Sequence, residues 1–538
     1  MSNLPSRTDI LVIGSGNAGL SAALAAAQTN PHLQVILIDK CPESWAGGNT
    51  YFTAGAFRTT HDGLADLLPI VNNTPPEQAS RIDMEPYTAE DFQSDLNRMT
   101  DNRTDPALSK ALVEDSRSTI DWLASNGIRF QLSFNRQAYE VNNRIKFWGG
   151  LALKTQDGGK GLVEDELRAV RNAGVSIFFN TEATRLCRGG SGGQLIAVEY
   201  IGGTPRHRSV ISVHAAILAA GGFEANPQMR AQYLGPGWDC ARVRGTPFNT
   251  GDLLKIAQQH VFARTAGDWG GCHSVAWDAD APSESGDRDV SNQYTKSGYP
   301  LGIMVNVNGE RFVDEGFDMR NYTYAMVGRR VLAQPEQVAF QVWDSKTIGW
   351  LREEEYRGEI VKRIQGDSIE ELAEKCGLAG MVDPGKFLKT VREYNASVEG
   401  NEVEQWDPAV KDGLGTKGLA LSKSNWALPI DKPPFLAVKV TAGITFTFGG
   451  LAVNPETAAV ISEQTKKDVP GLYCAGEMLG GIFYGNYPGG SGLTSGAVFG
   501  RRAGRAAGER VVHLIRNQRL PHEHTEWFIN DPQFNRQL

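Results

Sequence analysis

Three glycines and one acid carry the first chemistry legible in this chain. They stand in Asp9-Ile-Leu-Val-Ile-Gly-Ser-Gly-Asn-Ala-Gly19, followed by Asp39 at the end of the apolar run Val35-Ile-Leu-Ile. Gly14 permits a tight turn, Gly16 lets backbone N–H groups approach a pyrophosphate, and Gly19 lets a helix pack closely on a strand. Asn17 and Ala18 open that helix, whose N-terminus favours negative charge. Asp39, with Lys40 beside it, is placed to accept hydrogen bonds from a ribose. The spacing predicts a dinucleotide site. Glycine pairs at 47–48, 221–222, 449–450, 480–481 and 489–490 fall beside predicted strand ends and mark close backbone approach to a large planar cofactor. The pairs at 189–190 and 192–193 lie among polar residues and read as flexible loop.

The elements that must position these residues fit a chain of 538 residues, long enough for two or three domains. Strands are expected at 175–179, 195–201 and 213–222, a helix at 164–172 before them, and a helix at 253–260 after Asn249-Thr-Gly-Asp252. Gly471-Leu-Tyr-Cys-Ala-Gly-Glu477 reads as a strand running into a loop. Gly489-Gly-Ser-Gly-Leu-Thr-Ser495 then starts an Ala/Gly-rich helix through Arg510. Between 268 and 446 the texture changes to charged amphipathic helices (367–375, 384–397) alternating with short strands such as Ile303–Asn306. The expected fold class is therefore α/β, a Rossmann-like cofactor-binding domain with an inserted α+β capping domain. Its boundaries are 1–267 for the first part, 268–446 for the cap, 447–515 for the second part and 516–538 for a C-terminal tail.

Bulk properties exclude other classes. A net charge of −8 gives no footprint for nucleic acid, and no apolar stretch reaches the roughly 20 residues of a membrane-spanning helix. The six cysteines are scattered without metal spacing, and no signal peptide is visible at the N-terminus. A cytoplasmic protein without structural disulfides or metal is expected.

On these motifs the chain resembles the flavoprotein subunits of succinate dehydrogenase and fumarate reductase and their soluble relatives, over nearly all of residues 8–510. The resemblance implies FAD as the cofactor. Ala46-Gly-Gly-Asn-Thr50 is similar to the family segment lying along the flavin, so Gly47, Gly48, Asn49 and Thr50 are expected at the cofactor. Asn49 stands where covalent members carry the attaching histidine, which implies non-covalent FAD. Ala219-Ala-Gly-Gly222 resembles the family's strand end. Further contacts are implied for Ala183, Ala220, Gly221 and Asp252, and for Glu477 at the ribityl or ribose hydroxyls. Ser491, Gly492 and Leu493 complete that set.

The insertion resembles the family's cap, most closely in Gly302-Ile-Met-Val-Asn-Val-Asn-Gly-Glu-Arg-Phe-Val-Asp-Glu315 and Met319-Arg-Asn321. There the resemblance implies that Arg320 binds substrate and exchanges its proton, and that His273 touches a substrate carboxylate. Arg311 is expected to be structural, paired with Asp314 or Glu315. The pattern departs from fumarate reductases at Thr445 and Phe446, where a second histidine is expected, and at Tyr487, where an arginine clamps a carboxylate. Thr295 and Gly298 occupy the places of the relay acid and base. With these departures the chain is most similar to FAD-dependent tricarballylate dehydrogenases, which oxidise a saturated tricarboxylate to cis-aconitate. The Tyr-Pro-Gly element also resembles 3-ketosteroid dehydrogenases.

The reading is a dehydrogenase acting on a CH–CH bond beside a carboxylate, with hydride passing to FAD. Tyr487, Thr445 and Thr447 would hold substrate oxygens, and Lys296, Arg144 and Lys160 are candidate extra cations. The alternative is an enzyme acting beside a ketone through Tyr487. A third reading, a non-catalytic flavoprotein directed at a partner, fits the acidic charge and intact cap poorly. The expected partners are a small carboxylate or ketone and a separate electron-acceptor protein, without nucleic acid and without integral membrane insertion.

Overall fold

The computed structural model describes residues 4–517 except 191–192, 204, 283–285, 405–406 and 408–409. The expected tail after 517 lies outside the described residues. In chain order the elements that matter to the site begin with β1 (Arg7–Ile13), α1 (Asn17–Thr29) and β2 (Val35–Ile38). Helices α2 (Ala89–Met99), α3 (Pro106–Ser125) and α4 (Gly158–Asn172) follow, then β3 (Ser176–Phe178), β4 (Glu182–Gly189), β5 (Gln194–Gly202) and β6 (His207–Leu218). Next come β7 (Arg242–Val243), α5 (Asp252–Val261), β8 (Thr265–Asp278), β9 (Ile303–Asn306) and α6 (Arg320–Leu332). The cap continues through β10 (Ala339–Trp343), β11 (Ile364–Gly366), α7 (Ile369–Leu378) and α8 (Pro384–Ser397) to β12 (Phe435–Leu451). Strands β13 (Ala459–Ile461) and β14 (Asp468–Cys474) and helix α9 (Ser491–Arg516) complete the set.

The first sheet has the order β4-β5-β6-β1-β2-β3, with β14 on the far half of β6 and β13 on β14. Its central strands are parallel, and the β1 register Ile10↔Ala215 and Ile10↔Val35 buries an unbroken apolar run on both faces. Ala216–Leu218 of β6 also pairs with Leu472–Cys474 of β14, joining two stretches 256 residues apart in one sheet. Gly14 turns the chain at φ +113°, where an added Cβ would meet the Ala219 carbonyl at 2.2 Å. Helix α9 lies against α1 along a glycine stripe. Added Cβ atoms at Gly500 and Gly504 would sit 2.4 and 2.2 Å from the carbonyl oxygens of Ala18 and Ala22.

The second sheet is built on the 17-residue strand β12. Its first half pairs with β10 and β11, and β9 extends the sheet beyond β10. Its second half pairs antiparallel with β8 and, at Gly443–Ile444, parallel with β7. The expected boundaries at 267/268 and 446/447 both fall inside the β8–β12 pair, so the two lobes share one continuous ladder. Helix α6 is seated on β8, with Ser274 Oγ donating to the Ala325 carbonyl at 3.0 Å. Strand and helix positions expected at 303–306 and 384–397 match β9 and α8. Helix α9 runs to Arg516, beyond the expected Arg510, with Val511 still buried in the core.

Candidate active site

A cavity lies where the first sheet's strand ends meet the β8–β12 ladder, and both lobes line it. At one end the N-termini of α1 and α9 face it. Neither helix start is capped by a side chain, and Gly16, Asn17, Ala18, Gly492 and Leu493 are on the wall. Asp39 is held by Ser15 N (2.7 Å), Ser15 Oγ (2.7 Å) and Cys41 N (2.9 Å). Lys40 Nζ lies 2.6 Å from Asp252 Oδ2. Gly14, Gly48, Asn49, Thr50, Ala183, Ala220, Gly221 and Glu477 also line this part. Gly19, Gly47 and Ser491 do not: Gly19 packs on the Gly14 carbonyl, Gly47 on Val163, and Ser491 Oγ turns to the Pro488 carbonyl at 2.5 Å. Donor-rich helix ends, an oriented acid and a glycine turn that a Cβ would block fit a dinucleotide cofactor with a ribose and a pyrophosphate.

Beneath the wall two acids share a buried network. Asn49 and Asn249 each donate to Glu224 Oε1, at 2.5 and 2.6 Å, while Thr447 N and Oγ1 hold Glu477 Oε1 at 2.7 and 3.0 Å. Burial first, and then the Glu477 charge, pushes the Glu224 carboxyl well above the usual range. Burial likewise raises Glu477. Asn49 also donates to the Thr445 carbonyl at 2.5 Å, so its amide ties the two lobes together.

At the other end a β-bulge sets the geometry. His273 stands opposite Phe446, yet Ser274 pairs with Ile444, so Thr445 is the extra residue and its side chain is re-aimed. Arg244 follows β7, and its backbone N–H is bonded to the Ile444 carbonyl at 2.8 Å. Its Nη1 donates to Thr445 Oγ1 at 3.2 Å and its Nη2 to Asn292 Oδ1 at 2.6 Å. The rings of His273 and Tyr487 meet edge-on at 4.9 Å, and Phe446 approaches Tyr487 at 5.0 Å. Burial, and secondarily the Arg244 charge, lowers His273 to about 3, so its imidazole is neutral. Its Nδ1 is buried without a hydrogen-bond partner. Burial raises the Tyr487 phenol above its ordinary value, keeping it protonated. The loop carrying Tyr487 is fixed by Arg58 Nε on the Gly489 carbonyl (2.9 Å) and Asn486 Nδ2 on the Tyr322 carbonyl (2.7 Å).

His273, Thr445, Thr447 and Tyr487 therefore line one cavity, with Arg244 as the guanidinium on its wall. Arg320 is not on that wall. Asn321 and Tyr324, three apart on one face of α6, line it instead. Lys296, Arg144 and Lys160 are also off the wall: Lys296 is buried 3.7 Å from Asp278, Arg144 pairs with Asp83, and Lys160 is exposed. Arg311 pairs with Glu315. Sequence reasoning missed Arg244 because nothing in Arg242-Val-Arg-Gly245 signals a site. Only its parallel pairing with Gly443–Ile444 brings it to Thr445.

The FAD binding domain family matches residues 9–493. The chain belongs to that family. Its relatives are flavoproteins of the fumarate reductase kind. Probable fumarate reductase Ifc3 of Shewanella frigidimarina (strain NCIMB 400) is 26% identical over 505 residues, covering 94% of this chain and 75% of the relative. A 4-oxocyclohex-2-ene-1-carboxylate 5-dehydrogenase of Sinomonas cyclohexanicum is 27% identical over 580 residues, covering 92% and 93%. The open conformation of a flavocytochrome c3 fumarate reductase superposes with a TM-score of 0.69 at 25% identity, covering 94% of this chain and 79% of that one. The protein is an FAD-dependent oxidoreductase acting on CH–CH groups. Among the described residues no helix is long and apolar enough to cross a membrane, and no group of three or more His, Cys, Asp or Glu side chains is arranged to hold a metal.

Proposed function

We propose that the chain interconverts a saturated CH–CH bond and an alkene beside a carboxylate, with that carboxylate seated on Arg244. The observation that carries this reading is the Arg244–Thr445 hydrogen bond at 3.2 Å, on a wall shared with His273 and Tyr487. FAD, when bound, would be held by Gly14–Ala18, Asp39, Glu477 and the start of α9 and would supply the two-electron hydride acceptor. Arg244 stabilises negative charge as it grows on the carboxylate while the neighbouring carbon loses its proton. That proton passes to His273 at Nδ1. An anion on Arg244 cancels part of the field that keeps His273 weakly basic, so substrate arrival strengthens the base. Tyr487 donates a hydrogen bond to a substrate oxygen. The proposal assigns the substrate guanidinium to Arg244 in place of the expected Arg320.

A second reading, oxidation beside a ketone, is favoured by the same protonated phenol of Tyr487, a suitable donor to a carbonyl oxygen. FAD is taken as non-covalent because Asn49 spends its amide on Thr445 and Glu224. The electron acceptor is taken as a separate molecule, and six free cysteines support a reducing compartment such as the cytoplasm. The test is anaerobic mixing of the yellow holoenzyme with saturated acids, tricarballylate among them, and with cyclic ketones. Bleaching by an acid supports the first reading and bleaching by ketones alone the second. No bleaching by any of them, and no alkene reduction by the pre-reduced enzyme, overturns both.

A further inference from the structure

The charges and rings on the cavity wall define the substrate more narrowly than the motifs do. Among the described lining residues the permanent cations are Lys40 and Arg244. Lys40 is tied to Asp252 at the cofactor end, and His273 is neutral. Three carboxylates entering the substrate end would meet one guanidinium and no second cation among the described lining residues. A carboxylate taken out of water without a partner costs several kcal/mol.

Much of the substrate end is aromatic. Phe446 lies 5.2 Å from Phe448, 6.1 Å from Phe483 and 5.0 Å from Tyr487, and Phe483 lies 5.5 Å from Tyr487, all tilted or edge-on. These four rings line the cavity beside His273. Such a wall gains from flat apolar surface removed from water, and offers a polyacid the polar tips of Tyr487, Tyr324, Asn321 and Thr445 but no second cation.

We propose that the substrate bears a single carboxylate, seated on Arg244 and Thr445, and a flat apolar ring or short chain laid against Phe446, Phe483 and Tyr487. This rests on the redox reading above and narrows its substrate class from polycarboxylates to apolar monocarboxylates. Recognition then divides between one ion pair, which fixes the end that enters, and ring contact, which fixes the plane of the reacting carbons.

The test uses the oxidised holoenzyme under anaerobic conditions, with perturbation of the flavin spectrum as the binding readout. The probes are 3-phenylpropionate, cyclohexanecarboxylate, 3-phenylpropionamide, succinate and tricarballylate. The ring acids are expected to bind at least about 10-fold more tightly than either polyacid, and 3-phenylpropionamide at least about 10-fold more weakly than its acid. Phe446→Ala should weaken the ring acids about 10-fold and tricarballylate by much less. Tricarballylate binding as tightly as the ring acids, an amide equal to its acid, or no binding by the ring acids overturns the inference, and none of these needs the variant to fold. Tight binding and bleaching by tricarballylate would do so while leaving the redox reading intact. Tight ring-acid binding with no bleaching and no alkene reduction by any compound would remove the redox reading and leave the recognition mode standing.

Discussion

His273 is held neutral by burial on a strand that the two lobes share, and this has a consequence for acid stability. An unfolded chain takes up a proton at this residue near pH 6.5, whereas the folded protein does so only at about 3. The stability the residue allows is whole above pH 6.5 and is lost as pH falls toward 3, by up to about 1.4 kcal/mol per unit. Replacing it with glutamine should remove that slope. Urea unfolding at pH 7 and pH 5 is expected to show a fall in stability about 2 kcal/mol smaller for His273→Gln than for the parent chain. Equal falls would show that the imidazole is charged or solvated in the folded state. At this scale the sequence was half legible. His273 and Tyr487 stand in recognisable runs, but Arg244 does not, and Arg320 misses the wall by one helical step that no motif encodes.

At the level of elements, the first βαβ unit could be read because its apolar run, glycines and acid are all local. Its partner α9 could be read only in part. The sequence shows an Ala/Gly-rich helix, while the reason for the glycines is the carbonyl row of α1 almost 500 residues earlier. Gly504→Val should therefore be severe, because the branched side chain must displace the Ala22 carbonyl 2.2 Å from the new Cβ. A loss of about 3 kcal/mol or more is expected, with FAD released at lower temperature, since both helix starts face the cofactor. Flavin fluorescence on heating checks this, and an unchanged release temperature would mean that α1 and α9 do not act as one platform. The β8–β12 bulge is equally invisible in the sequence. Only pairing across 170 residues shows that Thr445 is the extra residue, and this is why an expected domain boundary fell in the middle of a strand.

For the whole molecule, the seam between the lobes is tied at a second place, away from the cavity. Asp95 on α2 accepts from Arg58 Nη1 at 3.1 Å, Tyr87 Oη at 2.7 Å and Tyr322 Oη of the cap at 2.9 Å. Arg98 reaches across to Asp318 at 2.6 Å, with its guanidinium 4.4 Å from the Tyr322 ring centre. Arg58 is fully buried and also fixes the loop of Tyr487 through Gly489. Removing its carboxylate in Asp95→Ala leaves a buried charge short of a partner, a loss expected to cost about 3–5 kcal/mol. Calorimetry on the holoenzyme should show a clear fall in Tm, and an unaltered Tm would mean that Arg58 is neutralised elsewhere.

The central claim is that the substrate's carboxylate is held by Arg244 at the lobe seam. Arg244→Met and Arg320→Met should be compared for kcat/KM on whichever acid bleaches the flavin, with FAD content measured in the same samples. The account predicts a loss of about 100-fold or more for Arg244→Met at full FAD occupancy and a much smaller loss for Arg320→Met. Full activity in Arg244→Met beside an inactive Arg320→Met would contradict it.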